Sequence, residues 1–483
     1  MKQRTVSLDT PTKIAHDLFW LLLFIVFPLA LDPAAFAAGL PYERSLLMPK
    51  AFVLAVAWTV GVLALLLSYR DRTPSKTFVR RFRDMPLALK AMLALVVFLL
   101  LDVWWVPGSL AVNLIGSFRV DGFLIQAIWY SLALVAAGLV YVRPENTRRA
   151  IVYLVVGVLL SALWTLAQAY DVEPLALFYA DAVNYEGAIG PLGLTALSAA
   201  YLSVSLTVLI AMQRRFDVLV ALTVGVLFTA VMATANRTAP AALLLVLLAL
   251  GVAYLLRRHY QRVGMLVLYG MVALASLGVL QITQSGGLQQ LERTGELLRG
   301  RDASFQVRLV FWQAGLRGMF DRPITGSGMN GFSEAFWRHL SREQQLSIVE
   351  RRLPAEAENI TLTGGPVVFY RLPGSEEVSS LTFLIDRAHN YLIDMVVISG
   401  FPAAALLLLA LGAGITMMLP AKHQVARAIA LATCVYILFG LTWFATLQVD
   451  PIVWGLFGVG IGSAWTKRTA TSSGTSPAQD EEG

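Results

Sequence analysis

The sequence predicts an all-α polytopic membrane protein, with about twelve transmembrane helices and one long, mainly helical outer segment before the last three of them. Two observations carry this prediction. Hydrophobic residues make up 57% of the 483 residues and charged residues only 14%, whereas ordinary soluble domains carry about 25% charged residues. Apolar stretches of the roughly 20 residues that a spanning helix needs recur along most of the chain.

That length criterion locates the spans. Their predicted cores lie near 18–38, 49–68, 86–106, 121–142, 150–170, 191–213, 216–234, 239–256, 263–282, 390–418, 424–446 and 450–466. The resulting organisation is nine helices in 1–282, a periplasmic loop domain at 283–389, three helices in 390–466 and a disordered cytoplasmic tail at 467–483. The tail is assigned by its Ser/Thr/Gly-rich, acidic composition.

The first span has two interpretations. Its basic start and the small-residue sequence Ala35-Phe36-Ala37 resemble a signal peptide with a cleavage site. Asp32 and Pro33 interrupt the approach to that site. We therefore expect the first helix to be retained.

The distribution of basic residues predicts the orientation, because Lys and Arg concentrate in cytoplasmic loops. One side carries Arg70, Arg72, Lys76, Arg80, Arg81, Arg83, Lys90, Arg143, Arg148, Arg149, Arg214, Arg215, Arg257, Arg258, Arg262, Lys422, Arg427, Lys467 and Arg468. The short loops on the other side are poor in basic residues. Both termini are therefore expected in the cytoplasm, with 283–389 on the outer side, which in a Gram-negative cell is the periplasm.

Several classes of function are disfavoured. The net charge of +7 comes from short loops between spans, so it does not indicate nucleic-acid binding. The single cysteine, Cys434, excludes a disulfide framework and a thiolate metal site. His339 and His389 are the only outer histidines, and no cluster has metal-ligand spacing. We expect neither a metal nor a cofactor.

The loop from Asp386 to Asn390 is the first candidate site. It ends the outer segment and opens a long apolar helix, and polar groups that enter a bilayer are costly and usually functional. Although a lone histidine is also compatible with a packing role, His389 is the candidate catalytic residue. Asn390 and Asp386 are supporting candidates, with Asp386 placed to orient the His389 ring.

The second candidate is the short outer turn that contains Arg237. Thr238 is expected to cap the following helix and Pro240 to lie in its first turn. Arg237 would then stand at a helix N-terminus, where backbone N–H groups favour an anion. The alternative is an arginine that reaches for lipid headgroups. Asp450, at the outer start of the last span, is a candidate partner of Arg237.

The outer segment supplies the third candidate. An amphipathic helix is predicted over Ser304–Phe320, with Arg301 and Arg308 on one face. Its apolar residues at helical spacing are Phe305, Leu309, Trp312, Leu316 and Phe320. The following stretch 326–332 is glycine-rich but lacks the Lys-Ser/Thr of a P-loop, and it predicts a tight turn. The segment contains many arginines and no lysine, which suits phosphate recognition but also matches arginine-rich codon usage.

These motifs resemble those of the O-antigen ligase and polymerase superfamily of bacterial membrane glycosyltransferases. The likeness rests on the turn at Arg237, on the Arg308-to-Gly315 helix followed by Pro323, Gly326 and Gly328, and on His389-Asn390-Tyr391 with Gly400 further on. The layout of many spans and one long outer loop agrees with it. A polar insertion near 341–385 departs from the family pattern.

The resemblance implies a GT-C-like fold, an undecaprenyl-pyrophosphate-linked glycan as donor and no metal. His389 would act as base, and Arg237 and Arg308 would bind the pyrophosphate. The expected function is transfer of the glycan to a lipid A-core acceptor (an O-antigen ligase). A polymerase and a protein O-oligosaccharyltransferase remain alternatives. A lipid-glycan transporter is more remote, since no internal repeat or midplane polar cluster is seen.

Overall fold

The computed structural model describes residues 10–37, 43–69, 83–116, 119–174, 188–283, 303–375, 377–383 and 385–472. In its first part the main helices are α1 (Thr10–Leu21), α2 (Phe27–Leu29), α3 (Pro33–Ala37), α4 (Met48–Tyr69), α5 (Leu87–Trp105), α6 (Leu110–Ile115), α7 (Phe123–Val142), α8 (Asn146–Ala169), α9 (Thr195–Ala211), α10 (Val218–Ala233), α11 (Thr238–Leu256) and α12 (Tyr260–Thr283). A π-helical turn, Leu22–Val26, joins α1 to α2, and a second, Glu43–Leu47, precedes α4.

The second part contains α13 (Ala303–Gly318), α14 (Gly331–His339), α15 (Arg342–Val349), β1 (Glu358–Leu362), β2 (Val367–Arg371), β3 (Val378–Thr382), α16 (Tyr391–Met418), α17 (Gln424–Gly440) and α18 (Asp450–Ser472). The chain is a mainly helical, polytopic membrane protein. α18 extends past 467, where the disordered tail is expected to begin, and the tail from 473 lies outside the described residues.

Every predicted span overlaps a helix in the described part of the chain. Within the described residues, seven helical stretches are long and apolar enough to cross a membrane: Thr10–Ala35, Arg44–Tyr69, Leu87–Trp105, Phe123–Val142, Asn146–Ala169, Thr238–Leu256 and Tyr391–Met418. Three further apolar helices, α9, α10 and α17, are shorter. α7 and α18 pack along each other at the centre, α5 packs against α16, and α9 packs against α17.

The polar insertion contains a three-stranded antiparallel sheet in the order β1-β2-β3, so the prediction of an all-α protein is wrong here. β2 is rich in β-branched and aromatic residues, which favour strands, and glycines at 364 and 374 supply left-handed turns at its two ends. Val368 of β2 is fully buried and packs in a cluster with Phe336 and Phe383. The sheet thereby attaches to the outer helices.

Helix α13 confirms the predicted outer helix. Its buried face, however, is not the face of apolar residues that the sequence spacing predicts. Phe311 and Ala314 are 7% and 0% exposed, whereas Leu309 and Leu316 are 40% and 51% exposed. A Cβ at Gly315 would lie only 2.3 Å from Ile393 Cγ2 of α16. Small residues on the inner face therefore let α13 pack closely against α16.

The glycine-rich turn fits a break in α16 at Gly400, whose φ is +79°. Because the break frees backbone groups, Ser327 N–H donates to Val397 O at 2.7 Å and Gly328 N–H donates to Ile398 O at 3.0 Å. Phe401 N–H donates to the Pro323 carbonyl at 2.8 Å. A Cβ on Gly400 would lie 2.2 Å from a backbone oxygen. The break thus holds the outer segment onto the membrane helix.

Candidate active site

His389 stands on the loop between β3 and α16 with a left-handed φ of +55°, which is uncommon for a residue other than glycine. Its ring lies 5.9 Å from the Phe311 ring, 5.2 Å from Trp443 and 5.0 Å from Phe444, measured between centroids. The Trp312 indole N–H donates to the His389 carbonyl at 3.3 Å. The half-buried imidazole is therefore held between α13 and the segment that follows α17.

Asn390 fixes the entry into α16. Its side-chain oxygen accepts hydrogen bonds from the backbone N–H groups of Leu392 and Ile393 at 3.1 and 3.2 Å, as an N-cap does. Its amide nitrogen donates to the Leu441 carbonyl at 2.9 Å. Asn390 therefore ties the start of α16 to the end of α17, which is a positioning role next to His389.

Two buried groups hold the loop from below. The Ala388 N–H donates to Asp394 Oδ1 at 2.7 Å. The Arg387 guanidinium is paired with Asp121 and donates to the Met329 carbonyl at 3.1 Å. Arg387 and Asp121 are 4% and 3% exposed, and breaking a buried ion pair is strongly destabilising. These bonds make the backbone on either side of His389 rigid.

Asp386 has a different partner from the one expected. Both of its carboxylate oxygens accept hydrogen bonds from Arg119, with Nη2 to Oδ1 at 3.0 Å and Nε to Oδ2. Burial would raise the pKa of Asp386, but the hydrogen bonds and charge of Arg119 outweigh burial and hold that pKa below its ordinary value. The guanidinium carbon also lies 4.4 Å from the centroid of Phe444, which contacts His389. Asp386 is thus connected through Arg119 to the aromatic side chains around His389.

Arg308 lies on α13 one turn before the residues that contact His389. Residues three and four apart on a helix are neighbours, so Arg308 is adjacent to Phe311 and Trp312. Its side chain is half-buried. Arg301, the other arginine expected on that face, lies outside the described residues.

Arg237 immediately precedes α11, as expected. The cap differs, because Asn236 Oδ1 accepts the Ala239 N–H at 3.0 Å and Thr238 is already helical. Pro240 lies in the first turn. α11 packs against α17, whose end leads into Trp443 and Phe444. Arg237 therefore lies at the N-terminus of α11, and the neighbouring helix α17 leads into two residues that contact His389.

Asp450 is fully buried, and the hydrogen bonds described for its carboxylate come from other residues than Arg237. Its oxygens accept hydrogen bonds from Tyr436 Oη at 2.7 Å, Tyr391 Oη at 3.2 Å, the Thr446 N–H at 2.7 Å and Trp454 Nε1 at 3.4 Å. These donors come from α16, α17, α18 and the segment before α18. The Asp450 carboxylate thus holds Tyr391, two residues from His389.

Sequence reasoning missed Arg119, Asp121, Trp443 and Phe444. Their signal is weak, because each lies far along the chain from His389 or in a short loop without a motif. Among the described residues, no group of three or more His, Cys, Asp or Glu side chains is arranged to hold a metal ion. The site brings a partly buried imidazole on a well-held loop close to fixed guanidinium groups, which suits proton transfer beside an anion.

Comparison with known families gives one match. Residues 222–408 match the family model described as O-antigen ligase, and a comparison with curated proteins found no match. The matched residues include Arg237, Arg308 and His389, whereas Arg119 and Phe444 lie outside them. The match covers the region 222–408 and supports its resemblance to the O-antigen ligase superfamily.

Proposed function

We propose that this protein is a metal-independent, inverting glycosyltransferase on the periplasmic face of the bacterial inner membrane. It moves a glycan from undecaprenyl pyrophosphate to an acceptor hydroxyl, with the lipid A-core as the first choice of acceptor. The observation that supports the proposal is that His389 contacts Phe311 and Trp312 of α13, which lie one turn after Arg308 on that helix. Arg237 belongs to the same matched region.

The proposed reaction is a direct displacement at the anomeric carbon. The acceptor hydroxyl oxygen forms the new glycosidic bond while the bond to the pyrophosphate oxygen breaks, so the anomeric configuration inverts. The hydroxyl proton passes to the His389 imidazole, since an ordinary histidine accepts a proton near neutral pH. The contacts to Phe311, Trp443 and Phe444 limit the positions that the ring adopts.

The leaving group is undecaprenyl pyrophosphate, which gains negative charge as the bond breaks. Arg237 and Arg308 supply the positive charge that a metal-dependent transferase takes from a cation. A guanidinium fork matches phosphate oxygens in a bidentate manner. Arg119 is already engaged by Asp386, so its proposed role is to position the loop.

Three acceptors fit this chemistry: a lipid A-core sugar, a second lipid-linked glycan and a protein hydroxyl. A deletion strain separates them. Loss of all long glycan chains from the outer-membrane lipid indicates a ligase, and decoration with a single repeat indicates a polymerase. Loss of glycan from proteins alone indicates the protein transferase.

Purified protein in liposomes tests the reaction itself. Incubation with an undecaprenyl-pyrophosphate-linked glycan and lipid A-core should yield the glycosylated acceptor and undecaprenyl pyrophosphate in equal amounts. Movement of intact lipid-linked glycan across the bilayer, with no product formed, would instead identify a transporter.

A further inference from the structure

The outward face of α13 carries an apolar stripe that the described part of the chain leaves exposed. Phe305, Leu309, Leu316 and Phe320 are 37%, 40%, 51% and 72% exposed. The first three share one face of the helix, and Phe320 follows directly after its end. Phe311, on the opposite face, is buried. The helix is thus apolar on two sides, and packing against the described residues buries only one of them.

The stripe is continuous with the exposed face of α16. The Phe320 and Phe401 rings lie 6.0 Å apart, and Phe401 is 42% exposed. Exposed residues then recur along α16 at helical spacing, namely Phe401, Ala405, Leu408, Leu409, Gly412 and Thr416. Because α16 is long and apolar enough to cross a membrane, this face is the one that meets lipid.

The break at Gly400 indicates how deep in the membrane this exposed face lies. The regular part of α16, residues 401–418, is about 27 Å long at a rise of about 1.5 Å per residue. That length matches a hydrocarbon core of about 30 Å. Phe320, Phe401 and Ile324, which is 68% exposed, therefore lie at the edge of the hydrocarbon on the side of the outer segment.

We propose that α13 is an interfacial helix, which lies along the leaflet facing residues 303–389 with its stripe turned toward the acyl chains. Apolar burial at the headgroup boundary is the characteristic of such helices. Its two flanks differ, because Gln306 and Arg317 are exposed on one side and Trp312 contacts the His389 carbonyl on the other. The anchored helix would hold Arg308 and the His389 loop at the level of phosphate headgroups. This inference rests on the membrane position of α16 and not on glycosyl transfer.

Site-specific fluorescence in nanodiscs tests the contact. The full-length protein carries Cys434→Ser, and a bimane label is attached in Leu309→Cys, in Leu316→Cys or, as a matched control on the same helix, in Gln306→Cys. Lipids with a nitroxide high on the acyl chain should quench the labels at 309 and 316 several-fold more than the label at 306. Aqueous iodide should quench them in the reverse order.

Iodide quenching of all three labels with no lipid quenching would overturn the proposal. In unlabelled Leu316→Cys protein, an efficient intermolecular disulfide under mild oxidation would also overturn it, because a second copy would then cover the stripe. The result is independent of catalysis. Lipid-quenched labels in a protein that transfers no glycan would support the interfacial position of α13 and refute the proposed function. Water-exposed labels in a protein that transfers glycan would refute the interfacial position and support the proposed function.

Discussion

The region 222–408 and the helices around it contribute different things to the candidate site. The matched region holds the groups proposed to react or bind, namely His389, Arg237 and Arg308. The surrounding helices and loops hold the groups that fix them, including Arg119 on Asp386 and Phe444 beside the imidazole. The matched region alone therefore lacks several of the contacts that hold the His389 loop in place.

This division has a physical reason. An imidazole that accepts a proton from a substrate needs access to that substrate and a fixed position, so the backbone that carries it must be held. The backbone next to His389 is held by Trp312, Asn390 and Asp394 from within the matched region. Arg119 and Asp121 hold the loop from outside that region. Changes in the two regions should therefore produce different kinetic defects.

The largest effect is expected for His389→Ala. Loss of a general base typically lowers the rate by about 100- to 10,000-fold, while donor binding should persist because the arginines remain. The measurement is the single-turnover rate and the donor affinity of purified protein in liposomes. His339→Ala is the matched control, because His339 is also in the outer segment but bonds Asp321. Wild-type turnover by His389→Ala would remove the residue from the mechanism.

A smaller loss is expected for Arg237→Lys and Arg308→Lys. Lysine keeps the charge but lacks the bidentate fork, and a charge-assisted hydrogen bond contributes roughly 1.5–3 kcal/mol. The rate should fall more than donor affinity does, because the leaving group gains charge in the transition state. Arg317→Lys, on the other flank of α13, serves as the control.

The double variant of Arg237 and Arg308 adds a second criterion. Two groups on one pyrophosphate should act non-additively. Strictly additive losses would mean that the two arginines serve separate sites.

For Arg119→Ala and Asp386→Asn we expect a moderate defect in rate with the same donor affinity, since these residues position the loop. Each single change breaks the same ion pair, so the double variant should be little worse than either one, with a coupling energy of about 0.5–3 kcal/mol. Glu334→Gln and Arg338→Ala form the control pair, because that ion pair is exposed and exposed pairs contribute little. Full additivity at Arg119 and Asp386 would contradict the positioning role.

The same pair predicts a pH dependence of stability. The pKa of Asp386 is lowered in the folded protein, so the stabilisation is fully present above the unfolded value of about 3.9 and is lost as pH falls through the folded value. Thermal unfolding should therefore show wild type more stable than Asp386→Asn at neutral pH, with the gap closing below about pH 4. A gap that widens on acidification would show that the carboxylate is not stabilised by Arg119.

The smallest expected effect is that of a chelator. If Arg237 and Arg308 neutralise the pyrophosphate, excess EDTA should leave the transfer rate unchanged. Abolition of transfer by EDTA, with recovery on adding magnesium or manganese, would show that a cation performs the role given to the arginines.

The sequence predicted the helices and the His389 loop because their signals are local. Apolar length identifies a span, and a polar loop between apolar segments identifies a candidate site. The pairing of Arg119 with Asp386 joins residues far apart in the chain, and no local pattern encodes such a contact. The sheet at 358–382 was missed because each strand has only five residues, and the signal of so short a strand is ambiguous. Sequence also does not show how deeply a carboxylate such as Asp450 is buried.

The most direct measurement is a cryo-EM structure of the protein in a nanodisc with undecaprenyl pyrophosphate bound. We predict that the guanidinium groups of Arg237 and Arg308 both contact the pyrophosphate and that the His389 imidazole faces the side where the sugar is attached. A pyrophosphate out of reach of either guanidinium, or a His389 ring turned away from it, would contradict the shared site.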